Sequence, residues 1–556
     1  MSLKIVVIGG VAGGATAAAK ARRCNEDATI EIYERGQYVS YANCGLPYWI
    51  GREIEDSNSL LLMDPQKFWS KYRVRVHLGH EALSIDPDRK TVTVKSDSGK
   101  EIEVSYDKLI LSQGALPIRL PVPGADLPHV ASLRSVEDMF LIDKKIHQFQ
   151  VRQAVVAGGG FIGLEMAEAL MHRGIEVTVL ERQNHVMPML DPDIGAEFQK
   201  RLMDRGLRIL SSTSLTGIDN NQVTLSDGST LISQLVILAA GVKPEIDLAR
   251  QANLKLGEAG GILVNESMLS SDPNIYAVGD MVEVEHKISG KKVRMPLAGP
   301  ANRQGRVAGS NASGTPKKYG KVLGTSIVRC LSEVCASTGL NLMQARAAFG
   351  DSVRVSLSYD PNHASYYPGS NPILTKLIWN SNDGKILGAQ ILGLNGVDRR
   401  VDVISVAMAG GLAVEDLEEL DLAYAPPFGS ANDPVNVAGF VASNLRRGES
   451  FGIVPEDLIH LKEPYQIVDV REDMEHRQGF LKGALLFPLS NLRETYESLP
   501  KNILLITCCR KGQRGYLAER ILRQKGFTVK NLLGGFMAAQ RAGLPIESAK
   551  TSASES

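Results

Sequence analysis

The stretch QAVVAGGGFIGLEMAEALMHR at Gln153–Arg173, followed by VTVLE at Val177–Glu181, decides the fold. A short apolar run enters a glycine-rich turn, the turn opens an apolar helix, and a second apolar strand ends in a carboxylate. Strand, turn, helix and strand make a βαβ unit, in which glycine lets the backbone approach a pyrophosphate at a helix N-terminus. Gly158, Gly160 and Gly163 stand in G-x-G-x-x-G register, with Glu165 behind them.

The same pattern occurs earlier in the chain. KIVVIGGVAGGATAAAKARR at Lys4–Arg23 leads to IEIYE at Ile30–Glu34, keeping Gly9 and Gly14 but carrying Val11 where the middle glycine would fall. Two such units predict two dinucleotide sites. Glu34 and Glu181 would each accept hydrogen bonds from a ribose diol. A carboxylate at Glu181 repels a 2′-phosphate and favours NADH over NADPH, a preference that Arg182 moderates.

At 556 residues the chain has room for between three and four domains of about 150 residues. Its 62 Lys+Arg and 62 Asp+Glu cancel, which removes any chain-wide field for nucleic acid or an anionic membrane. Six scattered cysteines suit a reducing compartment, and the absence of any C-x-x-C argues against zinc ribbons, so no metal is expected. The apolar N-terminus reads as strand, turn and helix rather than a signal, and no run of about 18 apolar residues predicts a membrane span. A cytoplasmic protein is the expectation.

Between and after the two units, TVTVKSDSGKEIEV and QVTLSDGSTLI read as hairpins. Alternating strands SIVRC, VRVSLSY and TKLIWN, then a helix-rich end, predict a mixed α+β domain starting near Tyr319. RRGESFGIVPEDL reads as a short connector. A fresh α/β pattern follows: IVDVR, ILLITCC, the helix AERILRQKG and VKNLL. The final SAKTSASES has no apolar periodicity and is expected to be disordered.

SYANCGLPYWIG puts Cys44 after the first acidic strand end and before a segment able to start a helix, whose N-terminus would stabilise a thiolate. A buried packing cysteine is the alternative reading of the segment alone.

With GGVAGGAT, SYANCGLPY, YDKLILSQGALP, GGGFIGLE, NIYAVGD and PLAGPANRQGR together, residues 3 to 445 resemble the pyridine-nucleotide disulfide oxidoreductases, in their single-cysteine coenzyme A disulfide reductase branch. The resemblance implies FAD on the first unit, held by Gly9, Gly14, Glu34, Gly114, Gly279, Asp280, Leu297 and Ala298. It implies NADH on the second unit, held by Gly158, Gly160, Gly163 and Glu181, and a homodimer. Val11 is ordinary in this branch. The implied division is 1–150 for the first part of an FAD domain, 151–240 for an NAD domain, 241–320 for the second FAD part and 321–446 for dimerisation.

HASYYPG and LDLAYAPPF resemble segments that bring tyrosines from a partner subunit towards Cys44, mapping to Tyr366 and Tyr424. These phenols would hold or protonate a leaving thiolate, or else pack in the core. Thr16, Arg23, Ser40 and Asn43 match positions that contact coenzyme A, and Lys20, Arg22 and Lys71 would add charge for its phosphates unless they form an ordinary solvated face. Asn302 and Asn432 stand where some members have a His and a Lys for coenzyme A.

Dithiol members carry C-x-x-x-x-C, but Tyr48 and Trp49 follow Cys44. A single thiol must therefore pair with a sulfur supplied from outside, as a mixed disulfide or persulfide.

YQIVDVREDMEHRQGFLKGALLFPL and ILLITCCRKGQRGYLAERIL resemble a rhodanese sulfurtransferase domain, placed at 456–547, with a tail at 548–556. Its loop is Cys509–Arg514. A persulfide on Cys509 would be ringed by loop amides, Arg510, Lys511 and Arg514, in a nest that lowers the thiol pKa. Cys508 reads as packing, as do Cys24, Cys330 and Cys335. Asp469 and Arg471 read as ties between the active loop and the first strand.

The expected class is therefore α/β: two Rossmann-like domains for FAD and NAD, an α+β dimerisation domain and a rhodanese-like domain. Fusing a sulfur carrier to a flavin site implies a shared sulfur species. The expected activity is NADH-dependent reduction of persulfides, polysulfide and coenzyme A persulfide or disulfide, with no nucleic acid or membrane partner. The alternatives are an NADH oxidase or peroxidase using a sulfenic acid, and a sulfur-delivery or redox-sensing partner protein.

Overall fold

The computed structural model describes residues 2–548, and the expected disordered tail lies outside them from residue 549 onward. The chain divides into two compact units, residues up to Met187 with Met203–Gly324, and Pro188–Leu202 with the residues from Thr325 onward.

The first unit holds two parallel sheets of five strands. One runs in the order Ile275–Ala277, Lys108–Leu111, Lys4–Ile8, Thr29–Glu34, Val74–Leu78. Its central strands Lys4–Ile8 and Lys108–Leu111 are nearly continuous apolar runs because the sheet is covered on both faces: Ile5, Val6, Val7, Ile32, Leu109 and Ile110 are wholly buried, and Ile85, Val92, Val94 and Val104 of an antiparallel sheet share their core. The strand Ile275–Ala277 returns from beyond the second βαβ repeat to complete this sheet. The second sheet orders Arg208–Leu210, Glu176–Leu180, Gln153–Ala157, Leu235–Leu238 and Val130–Ala131. Both repeats thus place a Gly-rich turn between the central strand and its following helix, Ala12–Cys24 or Phe161–His172. The two D-G and S-G segments form the antiparallel hairpins Thr91–Ser96 with Glu101–Ser105, and Gln222–Leu225 with Thr230–Ile232.

The second unit contains a five-stranded antiparallel sheet, Ser326–Cys330, Glu333–Gly339, Ile386–Gly393, Pro372–Asn380 and Val353–Pro361. Lys376 sits in it only 3% exposed, bonded to Asp193 at 2.6 Å and Asp191 at 3.0 Å. Burial alone would depress this ammonium, but Asp193 and Asp191 outweigh it and raise its pKa. Beyond lies a parallel sheet of Gly452–Ile453, Val529–Leu532, Leu504–Cys508, Tyr465–Asp469 and Leu485–Leu486. The expected connector RRGESFGIVPEDL is corrected here: Gly452 and Ile453 pair with Asn531 and Leu532 as the edge strand of this sheet. Two residues are too few to give a strand period. No helix among the described residues is long and apolar enough to cross a membrane.

Candidate active site

The two glycine turns are built alike. Gly9 has φ +91°, and a Cβ on it would stand 2.4 Å from the Ser112 carbonyl oxygen; Gly158 has φ +122°, and a Cβ on it would stand 2.2 Å from that of Ala239. A Cβ on Gly14 would lie 1.9 Å from the Gly9 oxygen, and one on Gly163 would lie 1.9 Å from the Gly158 oxygen. These four glycines are required by the protein's own backbone. Gly160 is different. It precedes the helix Phe161–His172, and a Cβ there would meet no atom within 4 Å among the described residues. The open space before that helix N-terminus fits a bound pyrophosphate.

Each acidic strand end braces its own turn. Glu34 accepts from the Gly10 amide at 2.8 Å and the Gly36 amide at 2.9 Å, while Glu181 accepts from the Gly159 and Gln183 amides, both at 2.8 Å. The carboxylates so fixed lie beside the turns, where a ribose would follow a pyrophosphate. Gly279 is held at φ +85° with its amide donating to Gln304 at 2.7 Å, and Asp280 follows it. Burial raises the Asp280 pKa against the opposing pull of Arg134 and Arg294. Gly114, at φ +76°, faces Asp280: a Cβ there would stand 3.9 Å from its carboxylate. Leu297 immediately precedes the helix Ala298–Ala312. The residues expected to hold FAD thus gather around the first sheet's turn, and Gln304 joins them without having been singled out in the sequence.

Cys44 lies in a 3₁₀ turn, Asn43–Gly45, just ahead of the short helix Leu46–Ile50. The residue is exposed, but its thiol is recessed among neighbouring atoms. That crowding, with the Glu165 and Asp280 carboxylates, raises its pKa above an ordinary thiol. The expected stabilisation of a thiolate by a helix N-terminus is therefore corrected. A five-residue helix offers little dipole, and two acids oppose it. All six cysteines are free thiols.

Thr16 and Lys20 lie on the helix Ala12–Cys24, and Thr16 donates to Asn302 at 2.7 Å. Arg23 and Lys71 are exposed and flank the Tyr72 ring at 6.0 Å and 5.4 Å. Ser40 adopts φ +49° just before the Cys44 segment, and Asn43 is exposed beside the thiol. Arg22 is a correction: it is 6% exposed, and its guanidinium donates to the carbonyls of Tyr72, Asn25, Glu26 and Arg73. It braces the turn and is not available to a phosphate. Cys24, read as packing, is hydrogen-bonded to Ser310 at 3.7 Å. Burial would raise its thiol, but hydrogen bonds from Ser310, Lys20 and Thr315 lower it overall.

In the second unit, the Tyr366 and Tyr424 hydroxyls are 3.2 Å apart. The rings are 74% and 48% exposed, so neither packs in the core.

The loop after Leu504–Cys508 holds Cys509, 2% exposed, with the Gly512 amide donating to its Sγ at 3.1 Å. Cys508 is buried, and burial with Asp469 and Cys509 drives its thiol well above the ordinary range. Of the expected ring of cations, Arg514 has its two terminal nitrogens on Glu475 at 2.6 and 2.8 Å and stays within electrostatic reach of Cys509. Asp469 and Arg471 form a buried pair at 2.6 Å. Arg471 reaches the Gly479 carbonyl at 2.7 Å and Asp469 takes His476 at 2.9 Å. The pair ties the first strand to the helix Asp473–Arg477 and its end, and not to the active loop as expected. Glu475 was missed in the sequence, where it is one of several acids in REDMEHR.

Residues 3–305 match the pyridine nucleotide-disulphide oxidoreductase family, 330–433 its dimerisation domain and 455–542 the rhodanese-like domain. The coenzyme A disulfide reductase of Staphylococcus epidermidis is 33% identical over 441 residues, which is 79% of this chain and 99% of that protein. The crystal structure of reduced CoADR-RHD from Bacillus anthracis superposes with a TM-score of 0.94 at 40% identity, covering 98% of each chain. An NAD-dependent persulfide reductase from A. fulgidus gives a TM-score of 0.90 at 36% identity, over 96% of this chain and 100% of that one.

Proposed function

Since the chain belongs to the pyridine nucleotide-disulphide oxidoreductases, flavoenzymes that use FAD and NAD(H), we propose that it reduces persulfides at Cys44 with NADH. Coenzyme A persulfide, coenzyme A disulfide and polysulfide are its substrates, and sulfide or a thiol is its product. The observation that carries this reading is the union, in one chain, of a lone recessed thiol beside the first nucleotide cradle and a second thiol held in a rhodanese-like loop.

The absence of a second cysteine in the Cys44 segment dictates the chemistry. The Cys44 thiolate attacks the sulfane sulfur of R–S–S⁻, the new S–S bond forms on Cys44, and RS⁻ leaves. FAD held at the first nucleotide turn would supply a two-electron relay from reduced nicotinamide; with those two electrons and the proton of the hydride, the S–S bond on Cys44 breaks, the thiolate is returned and HS⁻ leaves. With coenzyme A disulfide the same attack leaves a mixed disulfide, and reduction releases the second coenzyme A thiol. Glu34 and Glu181 hold the two riboses, Glu181 favouring NADH. Thr16, Lys20, Arg23, Ser40, Asn43 and Lys71 bind coenzyme A. In a cytoplasmic homodimer, Tyr366 and Tyr424 of one subunit protonate the thiolate leaving the other subunit's thiol. Cys509 accepts sulfane sulfur and passes it to coenzyme A, whose long arm delivers it to Cys44.

The test is anaerobic NADH oxidation with coenzyme A persulfide or disulfide, followed together with sulfide release, in wild type and Cys44→Ser. Matching NADH loss and sulfide from the persulfide, abolished by the substitution, supports the reading. NADH consumed only by oxygen or peroxide replaces it with an oxidase. A protein that turns over only with an added acceptor protein is a sulfur-delivery partner instead.

A further inference from the structure

The Cys509 loop carries three cations, Arg510, Lys511 and Arg514, enough on sequence grounds to receive a dianion such as thiosulfate. An acid from outside the loop grips one of them, and a second acid acts on another through space. Glu475 takes both terminal nitrogens of Arg514 at 2.6 and 2.8 Å, a bidentate geometry that leaves its fork little to offer another anion. Their mutual effect is visible on both sides, with Glu475 lowered by its hydrogen bond to Arg514 and Arg514 raised by that bond. Glu472 adds further negative potential at Arg514.

Lys511 is drawn the other way, over the Tyr359 ring at 5.8 Å. Tyr359 is pinned by Arg541, which donates to its hydroxyl at 2.6 Å and is itself paired with Glu197. Beside Tyr359 stands Asp360, which burial raises to about 6 against the pull of the Ser358 hydroxyl and Lys511. Its carboxylate acts on the lysine through space, partly offsetting the burial and the Arg510 charge that lower the Lys511 ammonium. Only Arg510 is exposed among the three.

We propose that Glu475, with Asp360 on the strand Val353–Pro361 as its counterpart, sets the donor specificity of Cys509, so that the loop accepts sulfur from persulfides, whose reacting S–S group carries a single negative charge, and discriminates against thiosulfate, which brings two charges to the same place. This rests on the reading that Cys509 carries sulfane sulfur. The transfer is balanced without an oxidant: the Cys509 thiolate bonds to the outer sulfur of R–S–S⁻, the R–S to S bond breaks, and its electron pair leaves with RS⁻. Thiosulfate would undergo the same displacement with sulfite leaving, but it brings an extra negative charge that only a free Arg514 or Lys511 could meet. Glu475 acts through Arg514 and is a positioning residue, not a catalytic one.

The test uses the full-length Cys44→Ser protein, so that Cys509 is the thiol under study, and follows the gain of one sulfur atom on Cys509 by mass spectrometry. The donors are thiosulfate and glutathione persulfide, each over a concentration range. Glutathione persulfide should exceed thiosulfate in the second-order rate constant of Cys509 loading by about tenfold or more. Glu475→Gln should raise the loading rate constant for thiosulfate about tenfold, equivalent to about 1.4 kcal/mol, and let loading saturate at lower thiosulfate, while changing the persulfide value less than about threefold. Asp360→Asn should move thiosulfate in the same direction by about threefold, a check that does not depend on the Glu475 variant folding. Equal use of both donors by the parent protein, or an equal fall with both donors in both variants, overturns the proposal. Cys509 left unmodified by either donor removes the sulfur-carrier reading itself, and this proposal with it.

Discussion

The hydroxyls of Tyr366 and Tyr424 lie 3.2 Å apart on two exposed rings whose residues are separated by more than fifty positions in the chain. One phenol must donate to the other, and a pair that shares one proton position acts as a unit in protonating a leaving group. Tyr366→Phe and Tyr424→Phe should each lower disulfide and persulfide turnover by about 10- to 100-fold. The double substitution should cost little more than either alone, a non-additivity read from a double-mutant cycle of kcat. Tyr424 also raises the Tyr366 phenol through their hydrogen bond, so Tyr424→Phe should move the Tyr366 tyrosinate absorbance transition to lower pH.

The recess around Cys44 makes a pH prediction with a definite sign. Burial first, then Glu165 and Asp280, hold its thiol above the ordinary value, so less thiolate is present at neutral pH than for a free cysteine. Alkylation of Cys44 by iodoacetamide should rise through a midpoint displaced to the alkaline side of that of a model thiol. Glu165→Gln, which removes one of the two opposing charges, should shift that midpoint down. An unchanged midpoint in Glu165→Gln would remove the carboxylate from the account.

The βαβ repeats were readable because their signals are local and redundant. Gly9, Gly14, Gly158 and Gly163 are demanded by backbone approaches of 1.9 to 2.4 Å, and the flanking strands are buried over most of their residues. What stayed hidden depended on partners far away in sequence. Arg22 looks like its exposed neighbour Arg23, but the carbonyls of Tyr72 and Arg73 draw it inside. Arg514 sits in a legible loop, while Glu475, the group that occupies it, lies 39 positions earlier among other acids. Cys44 was legible as special by its segment, whereas the direction of its pKa came first from burial and then from Glu165 and Asp280, groups that only the fold brings around the thiol.

The glycines of the second turn separate folding from binding. Gly163→Ala puts a Cβ 1.9 Å from the Gly158 carbonyl, a clash with backbone that the turn can relieve only by moving. It should lower the melting temperature as well as impair NADH use. Gly160→Ala meets no atom within 4 Å among the described residues, so the melting temperature and the flavin absorbance should stay as in wild type. Its KM for NADH should rise about tenfold or more, because the methyl group enters the space left for the pyrophosphate. An unchanged KM in Gly160→Ala would mean that the cofactor does not approach at this turn.

Lys376 offers the corresponding test in the second unit. Its ammonium is 3% exposed and held by Asp193 and Asp191 at 2.6 and 3.0 Å. Truncating it to Met leaves two carboxylates, 11% and 3% exposed, facing one another without a cation. Breaking such a buried cluster by removing one partner costs about 3–5 kcal/mol, which urea denaturation should report as a lower midpoint. The loss should be partly recovered at acid pH, since protonating one of the two orphaned carboxylates relieves the repulsion. Adding Asp191→Asn and Asp193→Asn to Lys376→Met should restore more stability than Lys376→Met retains alone. A triple variant no more stable than the single one would show that packing of the lysine stem, and not the buried charge, anchors Pro188–Leu202 to the antiparallel sheet.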